Sequence, residues 1–380
     1  MKRWIGAMVA AVTLLHSSSA ACVTETSARC AILMEASSGR ILYEKHAHEP
    51  RLIASTTKLM TALVALESGH AGDEMVTIAP EWTGAEGSSL YLRPGERVEL
   101  ETLLYGMLLR SGNDAALAVA GHCAGSVDAF VAAMNEKAAQ LGMKDSHFEN
   151  PNGLDGESHV SSAYDMALLA RACLEREEIA RIAATKSITL GTRTFTNHNK
   201  LLWQYEGCIG LKTGYTKKAG RTLVSAARRD GMTLICVTLN APNDWADHAA
   251  LFDYGFSQYR VQEGTREGEV LCRVPVVGSL IPFCPVTAGE SVRICLARDE
   301  DVRRELNVTA TQLSAPVLAG TQIGEAVFYR NGVECARVPL LAGRDCRDDR
   351  AQPSRLPDWL PFGQNENGRR SATWKNDCKN

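Results

Sequence analysis

Ser55-Thr56-Thr57-Lys58-Leu59-Met60-Thr61-Ala62-Leu63-Val64-Ala65-Leu66 is nearly all apolar after its first four residues, and Ser68-Gly69 closes it. A run this apolar on every side reads as a helix buried in a core rather than one laid on a surface. Its start pairs a serine with a lysine three residues on, a spacing that places both on one helical face. A serine hydroxyl is a poor nucleophile and needs an adjacent base, and lysine can serve once burial or a neighbouring cation lowers its pKa. The unpaired N–H groups at a helix start also favour developing negative charge. The same residues would suit a plain helix cap with a lysine reaching to solvent. An S-x-x-K arises by chance about once or twice in a chain of ordinary composition and this length, so the assignment depends on what accompanies it.

Two further motifs accompany it. Ser111-Gly112-Asn113 lies between the apolar run Leu103–Leu109 and a helix beginning near Asp114, so it reads as a loop between helices. It offers a hydroxyl to relay a proton and an amide able to donate to and accept from a peptide; alone, it would be an ordinary turn with Asp114 as cap. Lys212-Thr213-Gly214 falls in a strand-like run. Regular alternation would send Lys212 and Gly214 to one face and Thr213 to the other, and a glycine there lets a ligand backbone come close. Lysine and threonine could hold a carboxylate by charge and hydrogen bond, with Lys217, Lys218 and Arg221 adding positive potential. Taken alone, this is a solvated basic strand end.

Around these motifs the pattern is mixed. Cys30–Glu35 and Arg40–Lys45 read as a hairpin across Ser37-Ser38-Gly39, followed by amphipathic helices at Leu100–Leu109, Asp114–Cys123, Val127–Leu141 and Ser162–Leu174. Strand patterns return at Gly210–Gly214 and Arg221–Ala227, and pass through an Asp230-Gly231 turn into Met232–Leu239, before a helix at Asp247–Tyr254. Strands at both ends with helices between imply an α+β domain whose antiparallel sheet pairs its terminal strands. From about Val261 short alternating runs rich in Val, Gly, Pro and Thr imply a small β-rich domain. The boundaries expected are a leader over 1–21, the α+β domain over 22–260, the β-rich domain over 261–344 and a polar, disordered tail over 345–380.

The chain has 380 residues, 45% hydrophobic and 22% charged, enough to bury a large core. A formal charge of −3 without a long basic block argues against nucleic acid as a partner. Lys2 and Arg3, the apolar stretch Ile5–Leu15 and the small residues Ser17–Ala21 read as a cleaved export signal. The stretch is shorter than the roughly 20 residues that span a bilayer, so an exported, extracytoplasmic protein is expected. Cys123, Cys173, Cys208 and Cys236 sit in apolar patterns as small hydrophobes. Cys272, Cys284, Cys295, Cys335 and Cys346 cluster near the end, where one or two disulfide bridges have the partners they need. No zinc spacing appears, His46 and His48 lack further ligands, and neither metal nor cofactor is expected.

The three motifs together resemble those of penicillin-binding proteins and serine β-lactamases. Ser88-Ser89-Leu90-Tyr91-Leu92-Arg93-Pro94-Gly95-Glu96, Ser111-Gly112-Asn113-Asp114-Ala115-Ala116, Asn150-Pro151-Asn152-Gly153-Leu154-Asp155-Gly156 and Gly210-Leu211-Lys212-Thr213-Gly214-Tyr215-Thr216 resemble the low-molecular-mass serine D-Ala-D-Ala carboxypeptidases in particular, over about Cys30 to Phe256. The resemblance implies the penicillin-binding, β-lactamase-like transpeptidase fold and removal of the terminal D-alanine from peptidoglycan stem pentapeptides. Ser55 would attack the peptide carbonyl while Lys58 takes its proton, with Ser111 and Asn113 completing the relay and holding substrate. Lys212, Thr213 and Gly214 would engage the substrate end, and the amides of Ser55 and Tyr215 would form the oxyanion hole. β-Lactams would acylate the same serine as covalent inhibitors.

Two features depart from the family. Its members often end in a membrane-lying amphipathic helix, whereas Pro353, Pro357 and Pro361 break this tail. They also often carry an arginine just before the helix preceding the small domain, where Asn243, Asp244 and Trp245 stand here. A β-lactamase would need a carboxylate to activate water, and the middle motif has Gly112 in the aspartate position of S-D-N. A DD-endopeptidase would use identical catalytic groups. An inactive β-lactam-binding or wall-binding protein usually lacks one motif, and none is missing. A Ser-His-Asp hydrolase would need G-x-S-x-G, and a zinc peptidase H-E-x-x-H; neither occurs.

Overall fold

The structure, a computed structural model, describes residues 25–350; the leader read over 1–21 and the tail beyond residue 350 lie outside the described residues. Strands β1 (Cys30–Glu35), β2 (Ile41–Lys45), β3 (Cys208–Thr216), β4 (Gly220–Arg229) and β5 (Met232–Leu239) form one sheet in the order β2-β1-β5-β4-β3. The terminal strands pair antiparallel, Cys30 opposite Leu239 and Leu33 opposite Cys236, as the α+β pattern implied. Both sheet faces are covered. Ile32, Met34, Val224 and Val237 enter a core shared with the helices, while Leu33, Leu223 and Leu234 pack with Leu251 and Phe252. Burial on two faces explains why β1 is apolar without alternation. Each such side chain contributes roughly 2 kcal/mol.

The helices are α1 (Lys58–Glu67), α2 (Leu100–Arg110), α3 (Asn113–Ala124), α4 (Val127–Gln140), α5 (Ala163–Leu174), α6 (Glu177–Ala184), α7 (Leu201–Gln204) and α8 (Asp244–Gln258). Every residue of α1 from Lys58 to Ala65 is buried, because α2, α3, α4 and α5 all pack around it. Serine and aspartate mark the starts of α4 and α5: the Ser126 and Ser162 hydroxyls accept from the Ala129 and Asp165 amides, as N-caps do. The sequence reading passed over α6, α7 and the hairpin Ser187–Leu190/Arg193–Thr196, which are short and half-exposed. Among the described residues no single helix is long and apolar enough to cross a membrane.

The described chain divides into two units, one comprising residues 25–263 with Arg293–Val302 and the other the remainder. The second holds a six-stranded sheet in which Gln322–Arg330, Val333–Ala342, Phe283–Ala288 and Val270–Val277 are successive neighbours. Val286, Ile323, Val327, Phe328, Val338 and Leu340 are buried there. Cys272, Cys284 and Cys346 carry thiols rather than the bridges that their clustering suggested. The Cys284 thiol donates to the Pro285 carbonyl at 3.5 Å, and burial, then the neighbouring Cys284, raises the Cys346 pKa.

Candidate active site

Ser55 sits in a 3-10 turn over Ala54–Thr57 that feeds into α1. With three residues per turn, positions i and i+3 eclipse. Lys58 therefore lies directly beneath Ser55, Nζ 3.0 Å from Oγ. Ala54 adopts φ 48°, a left-handed conformation uncommon outside glycine. It is held there by its surroundings: its carbonyl accepts the Thr57 hydroxyl at 2.8 Å, and the Ile53 carbonyl accepts the Thr56 hydroxyl at 2.6 Å. Gly153, at φ 83°, presses on the same carbonyl, and a Cβ there would come 2.1 Å from Ala54 O.

His159 supports this turn. Its Nδ1 accepts the Glu149 amide at 3.0 Å, so the proton belongs on Nε2, 2.7 Å from Thr57 Oγ1. Burial pushes its pKa down to about 4, which keeps the ring neutral.

The Lys58 amine meets three oxygens: Ser55 Oγ, Asn113 Oδ1 at 2.7 Å, and the Asn152 carbonyl. Asn113 Nδ2 donates to the Glu86 carbonyl at 2.6 Å, which fixes the amide with its oxygen toward Lys58. Asp114 anchors the neighbouring wall, accepting the Ser89 hydroxyl at 2.6 Å and the Leu92 amide at 3.1 Å. Lys58 is fully buried, and its pKa lies well below the usual lysine value, through desolvation first and the Lys212 charge second. Asp114 opposes both in part. A neutral amine has two hydrogens and one lone pair. Asn113 Oδ1 and the Asn152 carbonyl can only accept and take the two hydrogens, so the lone pair is left facing Ser55.

Strand β3 is the edge of the sheet and lies against the serine turn. Gly210 and Leu211 have φ 111° and 94°, so regular alternation begins only at Lys212. Lys212 is buried, its Nζ donates to the Thr213 carbonyl at 2.8 Å, and burial lowers its pKa to about 7. His198, also pushed down to about 4 by burial and then by Lys212 and Arg110, adds no charge to this wall at neutral pH. Gly214 faces the turn; a Cβ there would stand 3.0 Å from Ser55 N and 3.1 Å from Ile53 O. Thr216 donates to Asp155 Oδ1 at 2.9 Å, joining the strand to the 150–156 loop.

The other face of the β3–β4 ladder carries Thr213 opposite Leu223 and Tyr215 opposite Arg221. Thr213 and Arg221 are thus diagonal neighbours, within reach for a long side chain. Arg221 is aimed by Asp244, which accepts its Nη2 at 2.8 Å and its Nε at 3.0 Å, and its guanidinium lies 5.4 Å from the Trp245 ring centre. Asp244 and Trp245 thus hold Arg221 of the neighbouring strand in place.

Ser55, Lys58 and Asn113 are joined by hydrogen bonds, and Lys212 and Gly214 reach the same turn through charge and backbone approach. Ser111 is buried at the left-handed cap of α2, φ 63°, two residues before Asn113. Tyr215 is exposed on the strand. The sequence reading gave no role to the Asn152 carbonyl, Gly153, Asp155 or His159. Asn150-Pro151-Asn152-Gly153 signals a turn but not what the turn touches.

Residues 16–243 match the family model described as D-alanyl-D-alanine carboxypeptidase, and residues 264–347 match the penicillin-binding protein 5 C-terminal domain. The chain is 33% identical to the D-alanyl-D-alanine carboxypeptidase DacF of Bacillus subtilis, over 84% of this chain and 86% of that one. It is 32% identical to DacA of Escherichia coli, covering 84% and 83%. Penicillin-binding protein 5 of Haemophilus influenzae superposes with a TM-score of 0.75 at 29% identity, covering 85% of this chain and 98% of its own.

Proposed function

The chain belongs to the D-alanyl-D-alanine carboxypeptidase family, and from that premise we propose that Ser55 is its nucleophile and Lys58 the base. The protein is a serine-type D-Ala-D-Ala carboxypeptidase of the penicillin-binding type acting on peptidoglycan peptides. The observation that carries the assignment of residues is the Lys58 amine, buried, depressed in pKa, and left with one lone pair toward Ser55 Oγ at 3.0 Å.

The reaction balances on these groups. Ser55 passes its proton to Lys58 as Oγ bonds to the carbonyl carbon of the penultimate D-alanine. The carbonyl oxygen becomes an oxyanion held by the amides of Ser55 and Tyr215. As the C–N bond breaks, the proton on Lys58 reaches the leaving amine through the Ser111 hydroxyl, and D-alanine departs. Water then adds to the ester, gives its proton to Lys58, and Ser55 leaves protonated. A β-lactam follows the first half of this path and keeps the serine acylated.

The free carboxylate of the substrate is met by Thr213 and Arg221 on one face of the strand, with Lys212 supplying positive potential from the face toward the serine turn, while Asn113 and Gly214 take the peptide backbone. A stem pentapeptide ending in D-Ala-D-Ala is the substrate this set suits. The export signal read at 1–21 supports work outside the cytoplasm. The expected division, a peptidase domain over 22–260 and a β-rich domain over 261–344, is supported by the two family matches at 16–243 and 264–347. Incubating the purified chain with a pentapeptide ending in D-Ala-D-Ala should release one D-alanine per peptide, and Ser55→Ala should release none. Release that persists in Ser55→Ala would remove Ser55 from its role.

A further inference from the structure

The sequence reading found no metal-ligand spacing, yet the fold brings two histidines and a glutamate together. His70 follows α1, Glu74 precedes the strand Met75–Thr77, and His122 stands in the last turn of α3. Glu74 Oε2 lies 2.7 Å from His70 Nδ1 and 3.2 Å from His122 Nε2, and the three donor atoms fall within 4.8 Å of one another. Both imidazoles thus turn a nitrogen toward the same carboxylate oxygen, with ring centres 4.7 Å apart.

The backbone that carries these donors is pinned. The Glu74 carbonyl accepts the Leu100 amide at 2.9 Å, and the Gly72 carbonyl accepts the Glu101 amide at 2.8 Å. Glu74 Oε1 accepts the Ala71 amide at 2.9 Å, leaving Oε2 for the histidines. A hydrogen bond to the outer oxygen is how ligating carboxylates are commonly oriented. The side chains are 31%, 39% and 23% exposed, so an ion could enter and keep a water as fourth ligand.

We propose that His70, Glu74 and His122 form a zinc site that clips the α1–α2 connection to the end of α3. Two imidazole nitrogens and one carboxylate oxygen are a zinc donor set, and the borderline softness of the set disfavours calcium and magnesium. Tetrahedral zinc at about 2.1 Å from each donor separates donors by about 3.4 Å, so small side-chain rotations close the site. It is remote from the reaction: Asn113 and His122 are at opposite ends of α3, about 14 Å apart at helical rise. The ion therefore ties elements together without touching the chemistry.

The full chain, stripped of metal with a chelator, should bind one zinc per chain in equilibrium dialysis, and its melting temperature should rise by several degrees. His122→Ala and Glu74→Gln should lose both responses while still labelling with fluorescent penicillin, which shows them folded. Cobalt in place of zinc should give weak visible bands without thiolate charge transfer, separating this site from the cysteines. Zinc binding that persists in both variants, a thiolate band, or no binding by the parent would overturn the proposal.

Discussion

Gly214 stands against the backbone amide of Ser55: a β-carbon at residue 214 would lie 3.0 Å from that nitrogen and 2.4 Å from the Thr222 hydroxyl oxygen. Thr222 in turn donates to the Ile53 carbonyl at 3.1 Å, so the sheet edge and the serine turn are fastened at one point. The side chain missing at residue 214 is what permits the approach.

Gly214→Ala is therefore expected to push β3 and the serine turn apart by a few tenths of an ångström or more. Displaced oxyanion donors cost about tenfold or more in rate. The second-order rate of acylation by penicillin should fall by that factor, and the melting temperature should drop by about a few degrees because the buried contact is overpacked. An unchanged acylation rate would show that the two amides do not act together.

Arg221 offers a test of carboxylate recognition. Hydrogen bonds to charged groups are worth about 1.5–3 kcal/mol, equivalent to roughly 10- to 100-fold in binding. Arg221→Ala should lower kcat/KM by that factor for a peptide ending in a free carboxylate, and far less for the same peptide ending in an amide. A ratio between the two peptides equal to the parent's would place Arg221 outside the substrate site. The comparison is internal to each variant, so any loss of stability from leaving buried Asp244 unpaired cancels.

The paired lysines set the pH dependence. In the proposed role Lys58 acts as a free base with a depressed pKa, so activity should rise with pH through that value and be lost below it. In the proposed site Lys212 must stay protonated to supply positive potential to the substrate carboxylate, and burial lowers its pKa to about 7 in the free enzyme. kcat/KM should therefore pass through a maximum and decline on the alkaline side as Lys212 loses its proton. Lys212→Arg keeps its charge throughout. It should lower the peak, because the guanidinium does not fit the lysine pocket, and remove the alkaline decline. An alkaline limb unchanged in Lys212→Arg would assign that limb to another group.

Much of this was legible in the sequence, for physical reasons. The apolar run from Leu59 to Leu66 left a buried helix as its reading, and the pairing of Cys30–Glu35 with Met232–Leu239 followed from strands at both ends of a helical block. The spacing of Ser55 and Lys58 was correctly taken as one face, although the segment is a 3-10 turn and the contact tighter for it. The Asn152 carbonyl could not be anticipated, because a main-chain oxygen has no residue type to betray it. Arg221 was legible only as one of three positive charges beside the Lys212 motif: its place next to Thr213, held by Asp244, depends on the β3–β4 register that brings it opposite Tyr215. His70 and Glu74 lie far from His122 in sequence, and no spacing rule joins residues that meet only through packing.

The most direct test is intact-mass and peptide-mapping spectrometry of the chain after brief exposure to penicillin. The account predicts one adduct with the full mass of the drug, carried by the peptide containing Ser55, absent in Ser55→Ala and almost absent in a folded Lys58→Ala. An adduct on another residue, or an equal yield in Ser55→Ala, would contradict it.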